Sequence, residues 1–238
     1  ADWNTVKPPL GDIGPVSLSK FGQVSPLSRS PEDALWQMWL ASMEEERRGD
    51  TKQLISELRK LGMRDSAPGA ANANIASNFL WLWKTLDEDG AIRINCGGPI
   101  YTGPSGTVWA EDCFFDSGNR YSVREQVTNT EDGPIFITER WFPFMGGYSL
   151  PLPDGNYRVK LHFAEINPPK TEPGMRVFDV VIAGQKVLEN FDLVATAGFA
   201  TAAMREFTVS VKDTPLEINF LPLVENPKIS AIEIVLIE

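Results

Sequence analysis

Basic residues are the scarcer charged class in this 238-residue chain: 22 Lys and Arg stand against 32 Asp and Glu, giving a formal net charge of -10 and a pI near 4.7. Attraction to nucleic acid or to an anionic membrane surface needs excess Lys and Arg at the contact, so nucleic acid is dropped as a partner. Apolar residues make up 42% of the chain, yet no run approaches the roughly 18 consecutive apolar residues of a membrane-spanning helix, and no transmembrane segment is expected. Histidine occurs once, at His162. That excludes a metal site built from several histidines and is a poor fit to a histidine-based triad; no metal or cofactor is expected. The two cysteines, Cys96 and Cys113, are too few for a disulfide framework and wrongly spaced for zinc. They read as small buried apolar groups, with a single bridge as the alternative. No Asn is followed by the X-Ser/Thr pattern that accepts an N-glycan, which counts against a eukaryotic secreted origin. The start Ala1-Asp2-Trp3 has neither the basic nor the apolar region of a signal peptide and no initiator Met, as in a processed form or a fragment. The compartment is left unassigned.

The chain does hold a clear change of pattern near residue 90. Residues 1–30 carry Pro8, Pro9, Pro15 and Pro26 with Gly11, Gly14 and Gly22, which breaks helices and offers no strand alternation. The expectation is an extended arm. Its Trp3, Val6, Leu10, Ile13 and Phe21 are too apolar for a free linker and suit a segment that lies along a surface. Residues 31–90 read as a helical region. Ser30-Pro31-Glu32-Asp33 supplies an N-cap, a proline at the first position and acids in the first turn. Leu35, Trp36, Trp39, Leu40 and Met43 form one stripe, and a second helix with Leu54, Ile55, Leu58 and Leu61 completes a hairpin. A third helix places Phe79, Leu82, Trp83 and Leu86 on one face, and Leu80 and Trp81 on another. A helix apolar on several sides must be covered on several sides. It packs between the hairpin and the next domain, or Trp81 and Trp83 anchor another protein.

From residue 91 the period shortens. Ile92-Arg93-Ile94-Asn95-Cys96 ends in Gly97-Gly98, and Asn95 with that glycine pair reads as a backbone bend. Tyr157, Val159, Leu161 and Phe163 alternate with Arg158, Lys160 and His162 after an Asp154-Gly155 turn, as in a half-buried strand. Residues 177–182, 186–190, 206–211, 216–221 and 229–237 repeat the pattern. Many short strands between Gly, Pro, Asp and Asn turns give a mainly β fold, an antiparallel β-sandwich or jelly roll over 91–238.

The blocks Ile94-Asn95-Cys96-Gly97-Gly98, Thr138-Glu139-Arg140-Trp141, Leu161-His162-Phe163-Ala164-Glu165, Val177-Phe178-Asp179-Val180, Asn190-Phe191-Asp192 and Glu225-Asn226-Pro227-Lys228 with Ala231-Ile232-Glu233-Ile234 stand in the order of a malectin domain. As a set they resemble that family over residues 91–238; residues 1–90 lie outside it. The resemblance implies a jelly-roll sandwich that binds glucose-containing oligosaccharides at loops along one end, without catalysis. In sugar-binding members the pocket uses two tyrosines, a Tyr-Phe pair and an acid. By motif, the first tyrosine falls on Tyr121 and the second on Trp141. The acid falls on Glu225, which accepts sugar hydroxyl hydrogen bonds. The Tyr-Phe pair falls on Asn167 and Pro168, so that platform is absent. Losing two rings at about 1 to 2 kcal/mol each lowers affinity by roughly thirty- to several hundred-fold, while Asn167 offers a hydrogen bond to a different sugar.

Two readings follow. The first is a non-catalytic carbohydrate-binding module using Tyr121, Trp141, Asn167 and Glu225. The second is a structural or assembly subunit that uses the sandwich as a scaffold and docks a protein partner through Trp3, Phe21, Trp81 and Trp83. A glycosidase would need two convergent carboxylates, and nothing in the spacing of Glu139, Glu165 and Asp179 singles out an acid and a base. Those charges read as solvation or protection of strand edges.

Overall fold

The computed structural model describes residues 75–212 and 215–237. Helix α1 (Ile75–Asp89) ends where Gly90 adopts φ 65° and donates its N–H to the Leu86 carbonyl, the left-handed cap that glycine favours after a last turn. One residue later the chain enters β1 (Ala91–Asn95). Trp81, Leu82, Trp83 and Leu86 join Ile92 and Ile94 in the main core.

Three sheets follow. The first orders β10 (Ala203–Val211), β7 (Gly155–Phe163), β13 (Ala231–Ile237), β1, β3 (Val108–Glu111) and β2 (Tyr101–Thr102). It is antiparallel except where β1 runs beside β3. The second orders β6 (Gly146–Leu150), β11 (Leu216–Val224), β8 (Val177–Ile182) and β9 (Gln185–Asp192). Alternation decides what lies between them. Tyr157, Val159, Leu161 and Phe163 of β7 and Leu216, Ile218 and Phe220 of β11 are all buried in one core, with Phe178, Phe191 and Phe220 in ring contact. This is a β-sandwich. A third, small sheet orders β12 (Lys228–Ile229), β5 (Thr138–Trp141) and β4 (Asn119–Ser122).

The segment expected as one strand over 229–237 is split at Ser230: β12 pairs with β5 in the third sheet, and β13 pairs with β1 and β7 in the first. That break hangs the third sheet on the sandwich. The Asn95–Gly98 bend holds it from the other side. Gly97 has φ 71°, and a Cβ there would run into the Glu139 carbonyl, so β5 passes directly over it. The buried Asn95 amide donates to the Pro99 carbonyl (2.8 Å) and its oxygen accepts from the Thr138 hydroxyl (2.9 Å).

Trp81 and Trp83 are 5% and 4% exposed and sit in the main core. The expectation that they anchor another protein is therefore corrected: a helix apolar on several sides is consumed by its own domain. Trp3 and Phe21 lie outside the described residues. Cys96 and Cys113 are free, buried thiols. His162 does face outward from the sandwich, into a second apolar cluster. It lies edge-on to Trp109 and Phe136, and burial lowers its pKa to about 4.

Candidate functional site

Strand β5 puts successive side chains on opposite faces, and each face holds a buried ion cluster. Toward the sandwich, Arg140 donates through Nε to Asp112 (2.7 Å) and through one terminal nitrogen to the Ser117 and Gly118 carbonyls (3.0 and 2.8 Å). The Tyr148 hydroxyl donates to the other Asp112 oxygen (2.8 Å), and the guanidinium lies over the Phe115 ring. Burial raises the Asp112 carboxyl despite Arg140.

Residues paired directly across an antiparallel ladder point the same way. Tyr121 pairs with Glu139, Asn119 with Trp141, and Trp141 with Lys228. Asn119, Tyr121, Glu139, Trp141 and Lys228 therefore share the other face. Lys228 is fully buried and forms ion pairs with Glu139 and with Glu165 (3.0 Å). Glu165 also accepts from Arg176 Nε (2.5 Å) and from the Asn167 backbone N–H (3.0 Å), and Arg176 donates to the Asn226 carbonyl. Burial pushes the Glu139 carboxyl up, with Lys228 only partly offsetting it. Burial acts the same way on Glu165, but Lys228 and Arg176 together hold it below the ordinary carboxylate value. Glu139 and Glu165 are thus corrected from solvated strand charges to members of a buried, charge-balanced hub. Asp179 is buried as well, and the Lys186 ammonium at 2.6 Å holds its carboxyl low.

The hub sets where the expected sugar contacts stand. Tyr121 and Trp141 are half-buried diagonal neighbours, a separation that aromatic side chains span. The aromatic ring of Tyr121 packs against the cluster of Trp109, Ile135, Phe136 and Ile166. Asn167 lies on the loop that Glu165 and Arg176 tie down, and Glu225 on the turn whose next carbonyl Arg176 holds. Glu225 takes φ 62° and pairs with Lys170 (2.8 Å). That hydrogen bond keeps its carboxyl below the ordinary value and bridges the two loops. The hub thus ties together the segments that carry Trp141, Asn167 and Glu225.

Three residues were not singled out by sequence. Asn119 stands opposite Trp141 and is exposed; only the pairing of β4 with β5 brings it there. Lys170 needed the fold to find Glu225. Phe144, three residues after Trp141, is 78% exposed beside the exposed Met145, on a connection without a strand or helix period. A cleft of about 530 Å³ lies elsewhere, between α1 and Ser105–Val108, lined by Trp81, Lys84, Glu88 and Arg93. It contains none of the residues on the Tyr121–Trp141 face, and chemistry rather than concavity favours that face.

A family model described as the malectin domain matches residues 91–232. The chain belongs to the malectin-domain family. Among relatives, the kinesin-like protein KIN-14E of Oryza sativa is 30% identical over 157 residues, covering 61% of this chain and 14% of that one. Malectin of Homo sapiens is 25% identical over 156 residues, covering 63% and 49%. The malectin domain here thus accounts for about half of human malectin and a small part of the kinesin-like protein. Solved structures share the fold. A β-glucuronidase of Bacteroides uniformis superposes with a TM-score of 0.55 at 21% identity, over 62% of this chain and 18% of the enzyme. A protein in the crystal structure of plant peptide RALF23 in complex with FER and LLG2 gives 0.55 at 17% identity, over 62% of this chain and 48% of that one.

Proposed function

We propose that this malectin-domain chain is a non-catalytic carbohydrate-binding module for gluco-oligosaccharides. The observation that carries the reading is the shared face on which Tyr121 and Trp141 sit as diagonal aromatic neighbours. The Tyr121 hydroxyl and the Trp141 indole N–H make no hydrogen bond among the described residues. An apolar ring with a free polar tip matches a sugar, which has C–H faces and hydroxyl edges. Asn119 and Asn167 add amide donors and acceptors, and Glu225 adds a carboxylate oriented by Lys170. Catalysis does not fit this geometry. Glu139 and Glu165 are both buried on the Lys228 ammonium and Glu225 is held by Lys170, so none of these carboxylates forms the free acid and base pair that a glycosidase needs.

The missing aromatic pair at Asn167 and Pro168 favours a second reading, a scaffold subunit of a larger assembly whose contacts come from the 1–30 arm. A glycan array probed with the full chain separates the two. Selective signal on gluco-oligosaccharides supports the module, and no signal on any saccharide overturns it.

A further inference from the structure

A sheet edge left unpaired exposes a row of backbone donors and acceptors, so natural sheets blunt their edges by shortness, bulges, charge or cover. Among the described residues, five of the six edges are blunted by shortness, cover or register shifts. Strands β2 and β12 have two residues each, and β4 has four. The free side of β6 is covered by Phe114–Asp116, through Ser149 N–H to the Phe114 carbonyl (2.9 Å) and Asp116 N–H to the Gly147 carbonyl (3.0 Å). Strand β9 carries Lys186, Glu189 and Asp192, has Asn190 at φ 50°, and shifts register twice against β8.

Strand β10 carries charge at Arg205 and Glu206, and the Arg205 guanidinium donates to the neighbouring Met204 carbonyl, but the strand is neither short nor bulged. It pairs with β7 over nine consecutive residues without a shift, contains no Gly, Pro or Lys, and among the described residues has a neighbour on one side only. Cover stops at its start, where the Ala202 N–H reaches the Thr128 carbonyl. On the inner face Phe207 and Val209 pack against the main core yet are only half-buried.

We propose that β10 is the surface through which two copies of this chain pair antiparallel, with Phe207 opposite Phe207 on a twofold axis. The strand is complementary to itself in that register. All nine residues overlap, Met204 meets Ser210, Arg205 meets Val209 and Glu206 meets Thr208 of the other copy, and the two half-buried Phe207 rings close on each other. Moving the axis to Arg205 or Glu206 sets like charges opposite, which is unfavourable. Registers offset by one residue oppose inner and outer faces. A twofold axis closes the contact, so pairing stops at a dimer. The dimer presents two Tyr121–Trp141 faces, which raises avidity for a ligand long enough to reach both.

The test is the solution mass of the full chain by light scattering and sedimentation over a hundredfold concentration range. The chain is expected to be dimeric at the upper end. Thr208→Glu places two Glu–Glu contacts in each dimer and weakens association by about tenfold. Thr208→Lys, facing Glu206, strengthens it, and the double variant Glu206→Lys with Thr208→Glu restores pairing. Melting curves confirm that each variant is folded. A parent chain monomeric throughout, or a dimer indifferent to both Thr208 variants, overturns the proposal.

Discussion

Two buried ion clusters lie back to back on β5, one residue apart in sequence, and they have different tasks. The Arg140–Asp112–Tyr148 cluster joins β5 to the 112–118 loop and to β6, away from the loops that carry Asn167 and Glu225. The Glu139–Lys228–Glu165–Arg176 cluster joins β5 and β12 to the loops that carry Asn167 and Glu225. Both place charges out of water, where the net worth of a pair is small but the cost of breaking it is large. The difference is in what moves when the pair breaks: on one side the scaffold, on the other the positions of the groups proposed to contact sugar.

The largest expected effect comes from the scaffold side. Arg140→Met leaves Asp112 buried without its cation and lowers stability by about 3 to 5 kcal/mol, read as a shift of the urea midpoint. Binding by the molecules that remain folded stays unchanged. Arg176→Met is expected to cost less, about 2 to 4 kcal/mol, because Glu165 keeps Lys228. It also weakens sugar binding in the folded fraction. Calorimetry on Arg176→Met under stabilising conditions checks this, and parental affinity there would erase the contrast between the two clusters.

His162 gives an acid-side effect from neither cluster. It faces Trp109, Phe136, Lys160 and Glu233, and burial takes its folded pKa from 6.5 to about 4. The unfolded chain therefore binds this proton first as pH falls. Stability is lost between about pH 6.5 and 4, by about 2 to 3 kcal/mol at the lower end. The lowered carboxyls Glu165 and Glu233 add to the loss only below their ordinary value near 4.5 and in the same direction. A His162→Gln variant should flatten the pH 6.5 to 4.5 part of a denaturation series and leave the steeper part below it.

Much of the sandwich was legible because its signals are local. The alternation from Tyr157 to Phe163 and the turn at Asp154-Gly155 fix a strand within their own span, and the Cys96–Gly98 bend follows from glycine. The strand break at Ser230 was not legible, since the largely apolar run from Ile229 to Ile237, with only Ser230 and Glu233 polar, conceals a change of partner sheet. The aromatic and acidic positions of the candidate site came from the resemblance. What the sequence hid was pairing at a distance: Glu139 and Glu165 meet on Lys228, 89 and 63 residues away from it in the chain, and composition cannot tell a paired charge from a solvated one. Trp81 and Trp83 failed as docking residues for a similar reason, because a helix covered by its own domain and one awaiting a partner carry the same stripe.

The Tyr121–Trp141 face is the central claim, and Trp141 tests it with the least disturbance, being half-buried and outside both ion clusters. In calorimetric titrations of the full chain with linear gluco-oligosaccharides, the parent should bind saturably. Trp141→Ala should bind about ten- to thirtyfold more weakly, as expected for a lost ring worth about 1.5 to 2 kcal/mol, with its melting midpoint little changed. Equal affinity of parent and variant, or no binding by the parent, would contradict the account.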